Sequence, residues 1–192
     1  CHMDRVSSKI TLETVSKMYP DKKCSLYLLH GDMTDEELHS LYNHDKIKAF
    51  VSIPHGEGFG LPFFEAAYMG LPVIAPGWSG QNDFLFNKDK EQFYNVSFDM
   101  RPVQQEAVWD KVILKDSMWC FPREQSTKEQ LRLCYNDIVN NTGHVKNTKK
   151  YARFLKKNFS EEKMYKKFCD NIYTINEEQT EWLDNLSKIE LV

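Results

Sequence analysis

Three alternate glycines constrain the fold of this chain more than any other feature of its sequence. An apolar run over residues 47–53 is typical of a buried parallel strand, and Gly56, Gly58 and Gly60 follow it closely. Glycine permits backbone angles that are closed to other residues. The segment therefore predicts a strand that leads into a loop built for close approach between the backbone and a ligand.

A short helix is predicted directly after this loop. Leu61 and Pro62 begin the helical pattern, because proline in the first turn loses no hydrogen bond, and Gly70 ends it. A second strand is predicted over residues 71–75. The helix would bring unpaired N–H groups and the positive end of its dipole to the carboxyl edge of the sheet, and such a place suits a phosphate.

Two glutamates frame this predicted phosphate site. Glu57 lies inside the glycine loop, and Glu65 lies in the helix that follows. A carboxylate can accept hydrogen bonds from two hydroxyls of a ribose or a hexose. An acid beside a phosphate-binding helix therefore favours a nucleotide sugar over a bare phosphate as the ligand. The alternative is that both glutamates are solvated side chains beside an ordinary glycine-rich turn.

Strands and helices alternate along the chain. This alternation predicts an α/β fold with a Rossmann-like parallel sheet, helices on both faces and right-handed crossovers. An apolar run over residues 24–30 predicts an earlier strand, and residues 94–103 alternate like another one. Thr34 and Glu37 form a predicted capping box for the helix that follows the first of these strands.

The C-terminal part of the chain is predicted to be helical. Ser126 and Glu129 predict a second capping box, at the start of the strongest helical pattern. Residues 144–192 are predicted to form a tail of helices, which is basic over residues 146–157. A solvated helix face explains such a charge run, and contact with anionic lipid is the alternative. We expect a final apolar stripe to be exposed or to pack against another copy: Trp182, Leu183, Leu186 and Ile189.

Composition narrows the class of protein. The net charge of −3 over 192 residues argues against a general attraction to nucleic acid. No apolar run approaches the roughly 20 residues of a membrane span, and no signal-peptide pattern is present, so we expect a cytoplasmic protein. The five cysteines are widely spaced without a CxxC pair, which favours neither a disulfide framework nor a zinc site.

The same residues carry a family resemblance. The segment HGEGFGLPFFEAAYMGLPVIA (residues 55–75) resembles the E-x7-E region of the retaining GT-B glycosyltransferases of group 1, family 4. SGQNDFL (residues 79–85) resembles the SGN-x-DF run that follows it in that family. The similarity extends over residues 24–122. It implies that residues 1–143 form a donor-binding domain, which is the C-terminal half of a GT-B fold.

The length of the chain bears on this resemblance. Members of the family have two Rossmann-like domains, and a chain of 192 residues has room for one. The chain also begins with a helical pattern over residues 8–18, where a donor domain should begin with a strand. We therefore expect a piece that is truncated at its N-terminus and lacks the acceptor domain. Such a piece should fold alone without transferring sugar.

The resemblance implies a reaction and a set of site residues. The reaction is transfer of a sugar from a nucleoside diphosphate sugar to an acceptor hydroxyl, with retention of configuration and without a metal or another cofactor. Glu57 would be the catalytic residue beside the transferred sugar, and Glu65 would bind the ribose. The other residues implied to bind the donor are His55, Gly56, Gly58, Phe59, Gly60 and Leu61 in the loop, and Gly31 and Met33 beside the base.

One part of the family pattern is missing. The family neutralises the leaving diphosphate with an Arg/Lys pair, and none of the early lysines matches it: Lys9, Lys17, Lys22 and Lys23. The donor site of this chain would then be incomplete. Two alternatives therefore stay open. One is a nucleotide-sugar-binding or structural module that does not catalyse, and the other is a nucleotide-sugar epimerase with the same GT-B fold.

Overall fold

The structure, a computed structural model, describes residues 2–173. The chain divides into two compact units, Cys1–Leu41 and Tyr42–Val192. The first unit contains helix α1 (His2–Met18) and most of helix α2 (Asp35–Tyr42).

The second unit contains seven strands and five further helices within the described residues. In chain order they are β1 (Phe50–Val51), α3 (Leu61–Met69), β2 (Val73–Pro76), α4 (Asn82–Leu85), β3 (Phe86–Asn87), β4 (Lys90–Glu91), β5 (Tyr94–Val96), β6 (Phe98–Pro102), β7 (Met118–Pro122), α5 (Glu124–Asn140), α6 (Thr148–Asn158) and α7 (Glu161–Tyr173). Short 3-10 helices lie at Gln105–Ala107 and Val145–Asn147.

The centre of the second unit is a parallel sheet of three strands in the order β1, β2, β5, flanked by helices. Phe50 pairs with Val73, and Ile74 pairs with Tyr94. The chain passes from β1 to β2 through α3, because parallel strands need a crossover connection. The predicted mixed α/β fold with a Rossmann-like parallel sheet is confirmed.

The core of this unit lies around β2, whose four residues are all buried. A buried cluster joins β2 and β5 to α5 and consists of Ile74, Tyr94, Val96 and Cys134. Successive strand residues face opposite sides of a sheet, so Val73 points away from this cluster. On α3 the buried residues are Phe63, Ala66 and Ala67.

The predicted helix after the glycine loop is confirmed as α3. Pro62 lies in its first turn, and Gly70 ends it with a φ of 85°, a left-handed conformation that glycine adopts without steric cost. The N–H of Gly70 donates to the Ala67 carbonyl at 3.0 Å. Both ends of the helix are therefore set by residues that the sequence displays locally.

Two other local predictions are also confirmed. The Thr34 N–H donates to the Glu37 carboxylate at 2.9 Å, and the Glu37 N–H donates to the Thr34 hydroxyl at 3.2 Å, which is a capping box. In α6, Tyr151 and Leu155 are buried, and the lysines are exposed, so the basic residues lie on the outer face. The stripe predicted over Trp182, Leu183, Leu186 and Ile189 lies outside the described residues.

The strand predicted over residues 24–30 is wrong. In the structure this segment belongs to no sheet, and its apolar side chains are exposed, with Tyr27 88% exposed. An apolar run becomes a strand only where a second strand satisfies its backbone N–H and carbonyl groups. Within the described residues no such partner pairs with this run.

The strand predicted over residues 94–103 is divided at Ser97 into β5 and β6, which belong to different sheets. The Ser97 N–H donates to the Ser126 hydroxyl at 2.9 Å, and the Arg123 N–H donates to the Ser97 carbonyl at 2.8 Å. The backbone of Ser97 is therefore bound to the start of α5. The predicted capping box at Ser126 is also wrong, because α5 begins at Glu124 with Arg123 as its N-cap.

The strand predicted over residues 47–53 is shorter and less buried than expected. β1 contains two residues, and Val51 and Ile53 are 44% and 45% exposed. β1 pairs with β2 on one side and lies at the edge of the three-stranded sheet. An apolar run alone does not distinguish a central strand from an edge strand.

Candidate functional site

Three segments meet at the carboxyl edge of the parallel sheet. They are the glycine loop (residues 54–60) after β1, the serine turn (residues 77–82) after β2, and the ribbon formed by β6 and β7 after β5. Ligands of open parallel sheets bind at this edge, because the loops after the strands converge there.

The serine turn forms hydrogen bonds with both the N–H and the carbonyl of Glu57. The Ser79 hydroxyl donates to the Glu57 carbonyl at 2.5 Å and accepts from the Glu57 N–H at 3.3 Å. The Gly80 N–H donates to the same carbonyl at 3.2 Å. The backbone of Glu57 is therefore fixed by three hydrogen bonds from one turn, although its carboxylate accepts no hydrogen bond from residues 2–173.

Two glycines allow the loop and the turn to approach each other. A Cβ atom at Gly80 would overlap the Gly58 carbonyl and would lie 2.8 Å from the Phe59 Cα. Gly60 has a φ of 84°, and its Cβ would lie 3.2 Å from the Gln81 Cβ. A Cβ at Gly58 would meet nothing within 4 Å. Open space therefore remains beside the middle of the loop, where a ligand can lie.

The loop leads directly into the first turn of α3. Gly60 is the N-cap, and no side chain of the described residues caps the helix. The first turn of a helix has N–H groups without partners inside the helix. Pro62 has no N–H, so the N–H groups of this turn belong to Leu61 and Phe63, directly after the glycine loop. This arrangement provides backbone donors and a positive dipole end to an anion.

Glu65 lies in the next turn of α3 and is held by its side chain. The Tyr42 hydroxyl donates to the Glu65 carboxylate at 3.4 Å. Burial and the neighbouring Glu65 charge raise the pKa of Tyr42 to about 12, so the phenol remains a donor throughout the physiological range. The carboxylate of Glu65 is therefore oriented before any ligand binds.

His55 joins the glycine loop to the ribbon. Its Nδ1 lies 2.7 Å from the Cys120 carbonyl, so this nitrogen carries a proton and donates, and the Cys120 N–H donates to the His55 carbonyl at 3.1 Å. The imidazole stacks on Trp119 with a centroid separation of 5.0 Å and lies 4.5 Å from the Phe121 ring. These contacts give His55 a positioning role, and its predicted contact with the donor stays a prediction.

The side chain of Phe59 is 42% exposed and packs against two aromatic rings of α3 and α4. Its ring centroid lies 5.0 Å from that of Phe84 and 5.5 Å from that of Phe64. The ring therefore anchors the loop on α3 and α4, which leaves the backbone of Phe59 for the predicted contact with a ligand.

Gly31 and Met33, the predicted base contacts, lie in the first unit. Gly31 has a φ of 140°, and Met33 is 39% exposed. The backbone bends at Gly31. The role of both residues beside a base stays a prediction.

The ribbon carries an ion cluster that the sequence did not reveal. Arg101 donates to Asp99 at 3.0 Å, and the Nε of Arg123 donates to the same carboxylate at 3.0 Å. The hydrogen bonds from Arg123 and then Arg101 lower the pKa of Asp99. These residues are spread over residues 99–123 with no recognisable motif, so only the ribbon pairing brings them together.

Two amide oxygens of the serine turn are buried without a hydrogen-bond partner among the described residues. They are Gln81 Oε1 and Asn82 Oδ1. The Gln81 side chain is fully buried and donates through Nε2 to the Pro76 carbonyl at 3.1 Å. A buried acceptor without a donor is unfavourable by about 1–3 kcal/mol, so this turn is a place where a water or a ligand hydroxyl adds stability.

Comparisons of the chain with protein-family models, with curated proteins and with solved structures found no match. Residues 2–173 contain no group of three or more His, Cys, Asp or Glu side chains placed to hold a metal ion. No helix in that part of the chain is long and apolar enough to cross a membrane. The predicted independence from metal, the cytoplasmic location and the lipid contact stay predictions. The interpretation of this site therefore rests on the residues that form it.

Proposed function

We propose that this chain binds a nucleoside diphosphate sugar at the carboxyl edge of its sheet, as the donor-binding part of a retaining glycosyltransferase. The observation that carries the proposal is the fixed glycine loop, which runs into the uncapped first turn of α3 with Glu57 before that turn and Glu65 after it. Open backbone donors suit a phosphate, and the carboxylates suit hydroxyl-rich groups on either side of it.

Each part of the site has a separate role in this proposal. The first turn of α3 and the backbone of Gly58 and Gly60 bind the diphosphate oxygens. Glu65, already oriented by Tyr42, accepts hydrogen bonds from the ribose hydroxyls. Glu57 lies beside the sugar and stabilises the positive charge that develops at the anomeric carbon.

The reaction transfers the sugar to an acceptor hydroxyl. The bond between the anomeric carbon and the diphosphate oxygen breaks, and its electron pair leaves with the diphosphate. A bond forms between the acceptor oxygen and the same carbon, and the hydroxyl proton passes to the diphosphate. The retained configuration and the nature of the acceptor rest on the family resemblance of residues 55–85.

A binding screen tests the proposal on the 192-residue chain. We expect one of the UDP-, GDP- and ADP-sugars to receive saturation transfer from the protein and to shift the backbone amide signals of Gly58 and Leu61. Glu65→Gln should weaken that ligand by about tenfold or more, because a charge-assisted hydrogen bond contributes roughly 1.5–3 kcal/mol.

The matched control is Glu162→Gln, which removes the same charge from the exposed first turn of α7. We expect this variant to bind like the original chain. If no nucleotide sugar binds, or if both variants lose affinity equally, the proposal is wrong.

A further inference from the structure

One face of the ribbon combines two cations, a carboxylate and two aromatic rings. Asp99 pairs with Phe121 across the ribbon, and Arg101 pairs with Trp119. Residues two apart in a strand share a face, as do residues directly opposite each other. These four side chains therefore lie on the same face, and Arg123 reaches it from the end of β7 through its hydrogen bond to Asp99.

Arg101 is held on this face but keeps free donors. One of its terminal nitrogens donates to Asp99 at 3.0 Å, and its guanidinium carbon lies 5.6 Å from the centre of the Phe121 ring. Its side chain is 61% exposed, and a guanidinium has five N–H donors. Because Asp99 also pairs with Arg123, one negative charge is shared by two positive ones. The cluster therefore has a net positive charge.

The cluster lies beside the glycine loop. Phe121, the ring under Arg101, also contacts the His55 imidazole, with 4.5 Å between the centroids. His55 is two residues before Glu57 in the loop and is bound to the ribbon backbone at Cys120. Arg101 and the loop therefore contact the same aromatic ring at the carboxyl edge of the sheet.

We propose that Arg101 binds phosphate oxygens at this edge, and that Asp99, Arg123 and Phe121 position its guanidinium. The identity of the ligand as a nucleoside diphosphate rests on the proposed function. The end of a helix contributes only about half an elementary charge, which does not balance a diphosphate. A guanidinium matches phosphate geometry through two parallel hydrogen bonds. Arg101 thus supplies a full positive charge at the carboxyl edge of the sheet.

Calorimetric titration of the 192-residue chain with inorganic pyrophosphate, UDP, GDP and ADP at fixed ionic strength tests this proposal. Arg101→Ala should weaken pyrophosphate and the best nucleotide by about tenfold or more, because it removes a charge-assisted contact. Arg101→Lys keeps the charge without the paired donors and should give an intermediate loss. Arg132→Ala, which removes an equal charge from the exposed face of α5, should leave both affinities within about twofold.

Asp99→Asn separates anion binding from a purely structural role. Asparagine keeps an amide oxygen that can accept the positioning hydrogen bond from Arg101. It removes the negative charge that competes with an anion for Arg101, so pyrophosphate affinity should be kept or increased. A purely structural cluster would instead lose affinity in Asp99→Asn as in Arg101→Ala. The inference would be overturned by a loss of pyrophosphate affinity in Asp99→Asn. It would also be overturned by equal losses in Arg101→Ala and Arg132→Ala, or by a chain that does not bind pyrophosphate.

The two proposals can fail separately. If pyrophosphate binds through Arg101 and no nucleotide binds more tightly than pyrophosphate, the anion site stands and the nucleotide-sugar proposal is wrong. If a nucleotide binds with dependence on Glu65 but not on Arg101, the proposed function stands and the role of Arg101 is wrong.

Discussion

Glu57 and Glu65 belong to the same site but are held in opposite ways. Glu57 is fixed through its backbone by Ser79 and Gly80, and its carboxylate accepts no hydrogen bond within residues 2–173. Glu65 is fixed through its carboxylate by Tyr42. A free charge on a fixed backbone suits a contact that strengthens during a reaction, whereas an oriented carboxylate suits a contact that stays constant. Within the proposed function, this contrast gives Glu57 a role in the chemistry and Glu65 a role in affinity.

Replacing Gly80 should have the largest effect on how the backbone of Glu57 is held. Gly80→Ala places a Cβ against the Gly58 carbonyl and the Phe59 Cα, so the loop must move away from the turn that fixes Glu57. We expect the free energy of unfolding to fall by about 2–3 kcal/mol, as overpacked backbone contacts do. Urea unfolding measures this loss.

Gly58→Ala is the control for this change within the same loop. Its Cβ meets nothing within 4 Å, so its cost should stay below about 1 kcal/mol. Equal losses in the two variants would show that the loop and the serine turn are not in the contact described.

Exchanging each glutamate for glutamine tests directly whether Glu57 and Glu65 have different roles. Glu65→Gln should lower nucleoside diphosphate affinity by roughly 1.5–3 kcal/mol, because its hydrogen bonds to the ligand are made in every state. Glu57→Gln should leave that affinity unchanged and depress turnover. Calorimetry measures the affinity and kinetic assays measure turnover, both in the intact enzyme, because the chain alone is not expected to transfer sugar. Equal loss of affinity in both variants would mean that the two roles are assigned wrongly.

Removing the Ser79 hydroxyl should make the backbone of Glu57 more mobile and leave the position of Glu65 unchanged. Ser79→Ala deletes two hydrogen bonds to the Glu57 backbone, so we expect a loss of about 1–2 kcal/mol in stability. The Glu57 amide should also exchange its hydrogen faster, which NMR detects. Ser117→Ala is the control, because its hydroxyl makes no hydrogen bond within the described residues. Unchanged exchange at Glu57 would contradict the prediction.

The smallest effect should come from Tyr42. Tyr42→Phe removes the long hydrogen bond to Glu65, so we expect a stability loss of about 0.5–1 kcal/mol and a two- to threefold weaker nucleotide at about 0.5 kcal/mol. Tyr135→Phe, at an exposed position of α5, should change neither quantity. A loss as large as that of Glu65→Gln would show that Tyr42 contacts the ligand itself.

Tyr42 also gives stability a dependence on alkaline pH. Its pKa is raised from 10.0 to about 12 in the folded protein, so the folded state keeps a proton that the unfolded chain has begun to lose. The contribution of Tyr42 is therefore fully present below pH 10 and is lost as pH rises toward 12. Urea unfolding at several pH values should show a shallower alkaline decline in Tyr42→Phe than in Tyr135→Phe.

Local signals made one part of the fold predictable. Pro62 and Gly70 mark the ends of α3, and Thr34 with Glu37 marks the start of α2, because each signal acts on the backbone a few residues away. The prediction over residues 24–30 failed because a strand depends on a partner that its own residues do not specify.

The sequence displays part of the candidate site. The glycine loop, Glu57 and Glu65 are visible as a contiguous motif. Tyr42 and Arg101 carry no signal in the sequence, because only the tertiary structure brings them to Glu65 and to the Phe121 ring. The sequence shows Ser79 within the SGQND run. It does not indicate that the Ser79 hydroxyl forms hydrogen bonds with the backbone of Glu57 in the glycine loop.

The pairing of His55 with Cys120 has a consequence for the order of folding. The two residues are 65 positions apart, so their contact closes a long loop, and the chain entropy of that closure must be overcome before the contact contributes stability. The pairing of β1 with β2 spans a much shorter stretch. We expect the sheet to form first and the ribbon to dock afterwards, so that the sheet is complete before the segments of the candidate site come together.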